Sequence, residues 1–301
     1  MPGAPTPPLS RGAAHGSLQV IVLLWGVTAL LGRQISIAAI PLVWYRLLIV
    51  VAVLLVVVPA QRLPLRIPGR AALRYAGVGA LIGLHWLCFY GAIKEAGIAT
   101  AVLSLSTVTF FTALLEPLVF RRRVAASELV IGAIVVVAAA LLIQLELQAS
   151  PLGLALGLGS AVLAAAFGVL NGKLADREPP ARLMLYELMA AAQVVTLCFV
   201  IWPSTFVAPW ALPSADAGWL AVLAVMCTVI PQVWIIHVLR TLSPFTVAVT
   251  VNLEPVYALI LTAVLFPADP ALGARFYAGA ALLFALVIVN GARRTGRLAS
   301  A

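Results

Sequence analysis

About ten long apolar blocks, each of roughly 16 to 24 residues, make up this chain, and they limit its fold more than any other feature. At 1.5 Å rise per residue, one such block crosses about 30 Å of hydrocarbon. No water is present there to pair with the backbone, so only helices and closed barrels can span it. Barrel strands alternate inward and outward over about ten residues, whereas Leu47 to Val58 and Val130 to Ile143 are continuously apolar. The expected fold is therefore an all-α membrane protein with ten transmembrane helices. Of 301 residues, 63% are apolar and 10% charged, well under half the charge of an ordinary soluble domain. No polar stretch is long enough for a soluble domain.

The expected helices cover 17–32, 41–59, 73–93, 97–120, 127–145, 151–172, 182–202, 217–239, 244–266 and 272–292. Their connections sort the charge. If the N-terminus is cytoplasmic, the inner segments hold Arg11, then Arg62, Arg66, Arg70 and Arg74, then Arg121 to Arg123, then Lys173, Arg177 and Arg182, then Arg240, then Arg293, Arg294 and Arg297. These are fifteen of the 19 Lys and Arg residues. Arg33, Arg46, Lys94 and Arg275 fall to the outer side. That asymmetry obeys the positive-inside rule and predicts both termini cytoplasmic in a bacterial-type inner membrane. It also gives the net charge of +9 a membrane reading, with no nucleic-acid partner expected. Residues 1–16, rich in Pro and Gly, read as a disordered cytoplasmic tail, and 293–301 as the C-terminal tail. Cys88, Cys198 and Cys227 fall within helices and read as small apolar side chains rather than a disulfide framework.

The two halves match in order at offsets of about 140 to 146 residues. Trp25-Gly26-Val27 resembles Phe167-Gly168-Val169, Tyr45-Arg46-Leu47 resembles Tyr186-Glu187-Leu188, and Ile93-Lys94 resembles Leu239-Arg240. Leu103-Ser104-Leu105 likewise resembles Val249-Thr250-Val251. The matches predict a five-helix duplication, 17–145 and 151–292. Five is odd, so the second copy enters the membrane inverted. Such architecture is common in secondary transporters, whose substrate sites lie at the repeat interface near the midplane.

The Trp-Gly of the first helix, the Tyr-Arg-Leu opening the second and the run from Leu239-Arg240-Thr241-Leu242-Ser243-Pro244 to Asn252-Leu253-Glu254-Pro255 resemble the drug/metabolite transporter superfamily, EamA type. The aromatic-rich helices look most similar to its YddG-type amino-acid exporters. The resemblance spans nearly the whole chain and implies export of amino acids, aromatic ones included, and related small metabolites by alternating access. Helix 4 departs from the pattern: it has Ser106-Thr107-Val108-Thr109 where a mid-helix proline is common, with Glu116-Pro117 two turns later.

Polar groups are expensive in hydrocarbon, so those present are candidates to line a wet cavity. Thr250, Glu254 and Tyr257 share a helical stripe, and the repeat maps that stripe onto Ser104, Val108 and Phe111. The two stripes are expected to face each other across the cavity. Glu254 is either a proton or amine site or a carboxyl hydrogen-bonded beside the irregularity of Pro255. On helix 3, Ile82, His85 and Phe89 form one stripe, beside Gly79, Gly83, Trp86 and Tyr90. His85 and Trp86 suit an amphipathic pocket, where an aromatic wall stacks on a side chain or cups a cation. The alternative is a small-residue packing surface at Gly79 and Gly83 with Trp86 in the core. Trp25, Phe167 and Gln232 complete the candidate substrate cavity. Trp44, Trp202, Trp210 and Trp219 read as an interfacial belt.

Gly168 to Lys173 lacks the spacing of a P-loop, and the metalloprotease and nucleophile-elbow patterns are absent. No enzyme activity, cofactor or metal site is expected. The expected partners are a small-molecule substrate and the lipid bilayer, with no obligate protein partner. Cationic residues deep in the cavity, which a phosphorylated substrate would want, are not evident. Transport is expected to be facilitative, with proton coupling through Glu254 as the alternative.

Overall fold

The computed structural model describes residues 8–143, 150–265, 281–282 and 285. Helix α1 (Arg11–Gln34) begins where Ser10 Oγ accepts from Ala13 N at 3.3 Å. This cap extends the helix six residues upstream of the expected start, so Arg11 to Gly16 are helical rather than tail. α2 covers Ala39–Ala60. α3 (Gly69–Leu105) contains Gly97 at φ 82° and ψ 172°, a conformation essentially reserved for glycine. There one rod ends and the next begins, matching the expected junction between helices 3 and 4. α4 (Val108–Phe120), α5 (Ala126–Ile143), α6 (Pro151–Leu174) and α7 (Pro180–Ile201) follow. α8 (Ser214–Ala224), a π-helical turn (Val225–Val229) and α9 (Ile230–Leu239) form the next rod, followed by α10 (Pro244–Val251) and α11 (Glu254–Leu265). The expected last helix, 272–292, and the C-terminal tail lie almost wholly outside the described residues.

Among the described residues six rods are long and apolar enough to cross a membrane, and α4 and α5 are shorter apolar helices. Their outward faces carry bare hydrocarbon: Leu118 is 72% exposed and Val200 77%. A bilayer suits such a surface and water does not.

Two spans expected as continuous, 97–120 and 244–266, are interrupted. α3 stops at Leu105 and α4 restarts at Val108; α10 stops at Val251 and α11 restarts at Glu254. The corresponding positions in the two pairs are 146 residues apart. At the first break Ser106 Oγ donates to Val102 O (3.2 Å) and Thr107 Oγ1 to Ser104 O (2.7 Å), so hydroxyls compete with the helical ladder. At the second, Pro255 sits in the first turn of α11, where its missing N–H costs nothing. The breaks interlock. Thr109 Oγ1 donates to Ala248 O (3.0 Å) and accepts from Asn252 Nδ2 (2.7 Å).

The connections gather at two ends. At the basic end, Arg182 Nη1 donates to Pro64 O (3.0 Å), Lys173 Nζ to Val119 O (2.9 Å) and Arg240 Nε to Ala175 O (2.8 Å). Arg122 pairs there with Glu116 at 3.1 Å, while Glu116 Oε2 accepts from Phe245 N at 2.6 Å and so caps α10. Burial pulls the Arg122 pKa down, but its bonds to Glu128 and Glu116 hold it above its ordinary value. At the opposite end, the buried Asp216 carboxylate accepts from Ser36 N (3.0 Å), Ser36 Oγ (2.7 Å) and Ile37 N (3.2 Å). Lys94 Nζ donates to Ile35 O of the same connection. Trp44, stacked edge-on with Phe199 and Phe206, lies at this end with the exposed Trp202, Trp210 and Trp219, so the four tryptophans expected to form a belt gather at one end.

α3 packs on α7 through the glycines singled out in the sequence. A Cβ at Gly79 would lie 2.0 Å from Glu187 O, and one at Gly83 would lie 3.1 Å from Ala191 O. Gly79→Leu should therefore overpack this contact by about 3 kcal/mol or more, and a fall in thermal unfolding temperature of detergent-purified protein would register it. Gly77→Ala, with nothing within 4 Å, should leave that temperature unchanged.

Candidate transport cavity

A cavity of about 930 Å³, counted out to its open mouth, lies between α1, α2, α3, α4, α6, α9, α10 and α11. Its wall is aromatic and aliphatic: Trp25, Trp86, Phe89 and Phe167 stand with Leu105, Val108, Ile235 and Val251. The wall reaches Asn171, Leu239 and Pro244, at the ends of α6 and α9 and the start of α10, so the cavity runs toward the basic end. The Asp216 and Lys94 contacts tie the opposite end together. Three ionisable side chains, Arg46, His85 and Glu254, also line the cavity.

Arg46 departs from the sequence reading, which placed it at the outer boundary and found no cation deep in the cavity. It is 2% exposed. Its Nε donates to Thr228 Oγ1 (2.7 Å) and its Nη1 to Tyr90 Oη (2.9 Å), and its Cζ lies 3.8 Å from the Trp86 ring centroid. Each partner is set by a local feature of the fold. Thr228 lies in the π turn, where its Oγ1 donates to Leu223 O five residues back at 2.7 Å. Tyr90 packs over Gly32, where a Cβ would come within 2.6 Å of its ring. A π turn is invisible in apolar periodicity, and Arg46 is only seven residues into α2; burial depth had to come from packing.

His85 Nδ1 is 2.9 Å from Ser160 O and 2.8 Å from Ser160 Oγ. Nδ1 can donate to the carbonyl or accept from the hydroxyl, and either bond holds the ring against α6. The ring stands beside Phe167 (5.3 Å between centroids) and Phe89 (6.2 Å). Glu254 opens α11, and among the described residues it makes no ion pair within 4 Å.

Seven residues proposed from sequence thus come together on the wall: Trp25, His85, Trp86, Phe89, Phe167, Gln232 and Glu254. The other four lie off it. Ser104 is fully buried against Gly157, and Phe111 packs on Phe110. Thr250 Oγ1 donates back to Thr246 O (3.0 Å), and Tyr257 Oη donates to Gln19 Oε1 (2.9 Å). Helical spacing does not carry across the breaks at 106–107 and 252–253, which part Val108 from Ser104 and Glu254 from Thr250; Phe111 and Tyr257 share α4 and α11 with the two cavity residues but lie off the wall. Asn171, Thr28 and Thr112 join the wall unforeseen, since single polar residues on apolar helices gave no pattern. Behind Asn171, its Nδ2 donates to the buried Glu187 at 3.1 Å.

The geometry predicts one-sided access. In a variant freed of its native cysteines, Gln232→Cys should react with a membrane-impermeant thiol reagent added at the basic end at least about tenfold faster than from the other side. Equal rates would contradict a sealed Asp216 end.

A solved crystal structure shares this fold: TM-score 0.75 at 20% identity, covering 95% of this chain and 99% of that one. No curated protein matches the sequence. The model of the EamA-like transporter family matches twice, at 17–145 and 151–290. The chain is a multi-pass membrane protein and belongs to the EamA-like transporter family.

Proposed function

We propose that this chain is a secondary transporter that exports amino acids, aromatic ones included, and related small metabolites by alternating access between two inverted five-helix halves, 17–145 and 151–292. The observation that carries the reading is the cavity, where aromatic walls enclose one cation, one acid and one histidine beside two interlocked helix breaks. An amphipathic zwitterion matches that chemistry. The breaks, 146 residues apart, and the double match of the family model support the duplication. An odd helix count per half would invert the second copy, and broken helices at a midplane site are typical of such carriers.

The basic end is the cytoplasmic one by the positive-inside rule, with both termini on that side of a bacterial-type inner membrane. The cavity then opens to the cytoplasm, where an exporter loads. Substrate enters there, stacks between Trp86, Trp25 and Phe167, and leaves when rocking opens the Asp216 end. Radiolabelled tryptophan counterflow in proteoliposomes tests the reading. Trp86→Ala should reduce counterflow of tryptophan by about tenfold or more and of threonine by less, because stacking area is lost; equal losses would make Trp86 packing alone.

Transport is facilitative in this reading. A proton-coupled cycle is the second reading, and it rests on Glu254, an acid in the cavity without an ion-pair partner among the described residues. Glu254→Gln keeps shape and loses titration. Counterflow should persist in Glu254→Gln with little pH dependence, and uphill uptake by wild-type protein under an imposed pH gradient would favour coupling instead.

A further inference from the structure

We infer that Arg46 is the seat of a substrate carboxylate, so that the cavity selects aromatic carboxylates and rejects the matching amines that lack one. The inference rests on the transport reading above and adds to it the group the site recognises.

A guanidinium has five N–H donors and stays charged at any physiological pH. Removing it from water costs several kcal/mol unless a counter-charge and hydrogen bonds compensate. Arg46 uses Nε on Thr228 and Nη1 on Tyr90, and both acceptors are neutral hydroxyls. The Trp86 face at 3.8 Å contributes about 2 kcal/mol when desolvated. None of these cancels the charge, and three N–H groups are left over. Among the described residues no carboxylate lies within ion-pair distance of Arg46. The acids that are buried with it have other partners: Asp216 holds Ser36, Glu116 holds Arg122, Glu178 holds Arg182, and Glu187 holds Asn171.

Glu254 shares the cavity with Arg46 and is within electrostatic reach, yet the two do not form an ion pair. A cationic and an acidic side chain that line one cavity without pairing are both open to a ligand. Two N–H groups in a fixed fork match a carboxylate, and Thr228, Tyr90 and Trp86 hold the guanidinium in one orientation before anything binds. Glu254 and the His85 ring, on the same wall, suit an ammonium. A merely structural Arg46, clamping α2 to α3 and to the π turn, would not distinguish ligands by their carboxylate.

The test is competition against labelled tryptophan in proteoliposomes, using tryptamine and tryptophanamide, which lack the carboxylate, and indole-3-propionate, which lacks the amine. With wild-type protein, tryptamine and tryptophanamide should compete at least about tenfold more weakly than tryptophan. Arg46→Gln should erase that preference, and Arg46→Lys should restore part of it. Equal competition by tryptamine and tryptophan in the wild type overturns the inference while leaving amino-acid transport intact. If tryptophan is not transported at all, the functional reading fails, and thermal shifts of the wild-type protein decide the inference separately. Indole-3-propionate should then stabilise the protein where tryptamine does not; stabilisation by tryptamine alone, by both equally, or by neither overturns it. The same wild-type measurements decide if the Arg46 variants do not fold.

Discussion

A backbone interrupted inside hydrocarbon must find every lost hydrogen bond within the protein, and this requirement organises the centre of the molecule. Breaking two helices separately would strand carbonyls and amides in both. Here the breaks at 106–107 and 252–253 meet: Thr109, just past the first, donates to Ala248 O at the second and accepts from the Asn252 side chain. Serine and threonine hydroxyls at 106 and 107 take carbonyls of the preceding turn. Val108 and Glu254, the first residues of the helices beyond the breaks, form part of the cavity wall.

The same restriction governs the charges. Ionisable groups inside the bundle are rare, and two of them are held by polar partners brought from distant parts of the chain. Asp216 reaches the α1–α2 connection, and Arg46 reaches Thr228 of the π turn. These contacts join segments about 180 residues apart, so they tie the first half of the chain to the second. Neutral partners around Arg46 leave its charge available inside the cavity, in contrast to Arg122, whose charge is shared by Glu116 and Glu128 at the basic end. The first arrangement suits recognition and the second suits fastening.

Local anomalies serve the cavity more than the scaffold. The π turn at Val225–Val229 turns Thr228 toward Arg46. Gly32 gives Tyr90 room to reach the same guanidinium, and Gly79 and Gly83 bring α3 close to α7. Without the π turn and Gly32, Arg46 would lose the two hydroxyls that orient its guanidinium in the cavity.

Much of this protein was legible in its apolar pattern, because hydrocarbon imposes a length and a composition on every span and the basic residues mark one end. The membrane class, most span positions, the break at Gly97 as a junction and the aromatic wall with His85 and Trp86 all follow from those rules. Periodicity treats a span as continuous, however, so it carried Ser104 and Thr250 onto stripes that the breaks disrupt, and it put Phe111 and Tyr257 on a cavity wall that their packing against Phe110 and Gln19 leaves. It also put Arg46 at the boundary, since seven residues into a helix is compatible with either interface or core. Only the tertiary structure decided those positions, because depth, the π turn and the meeting of two broken helices depend on contacts between residues that the sequence keeps more than a hundred positions apart.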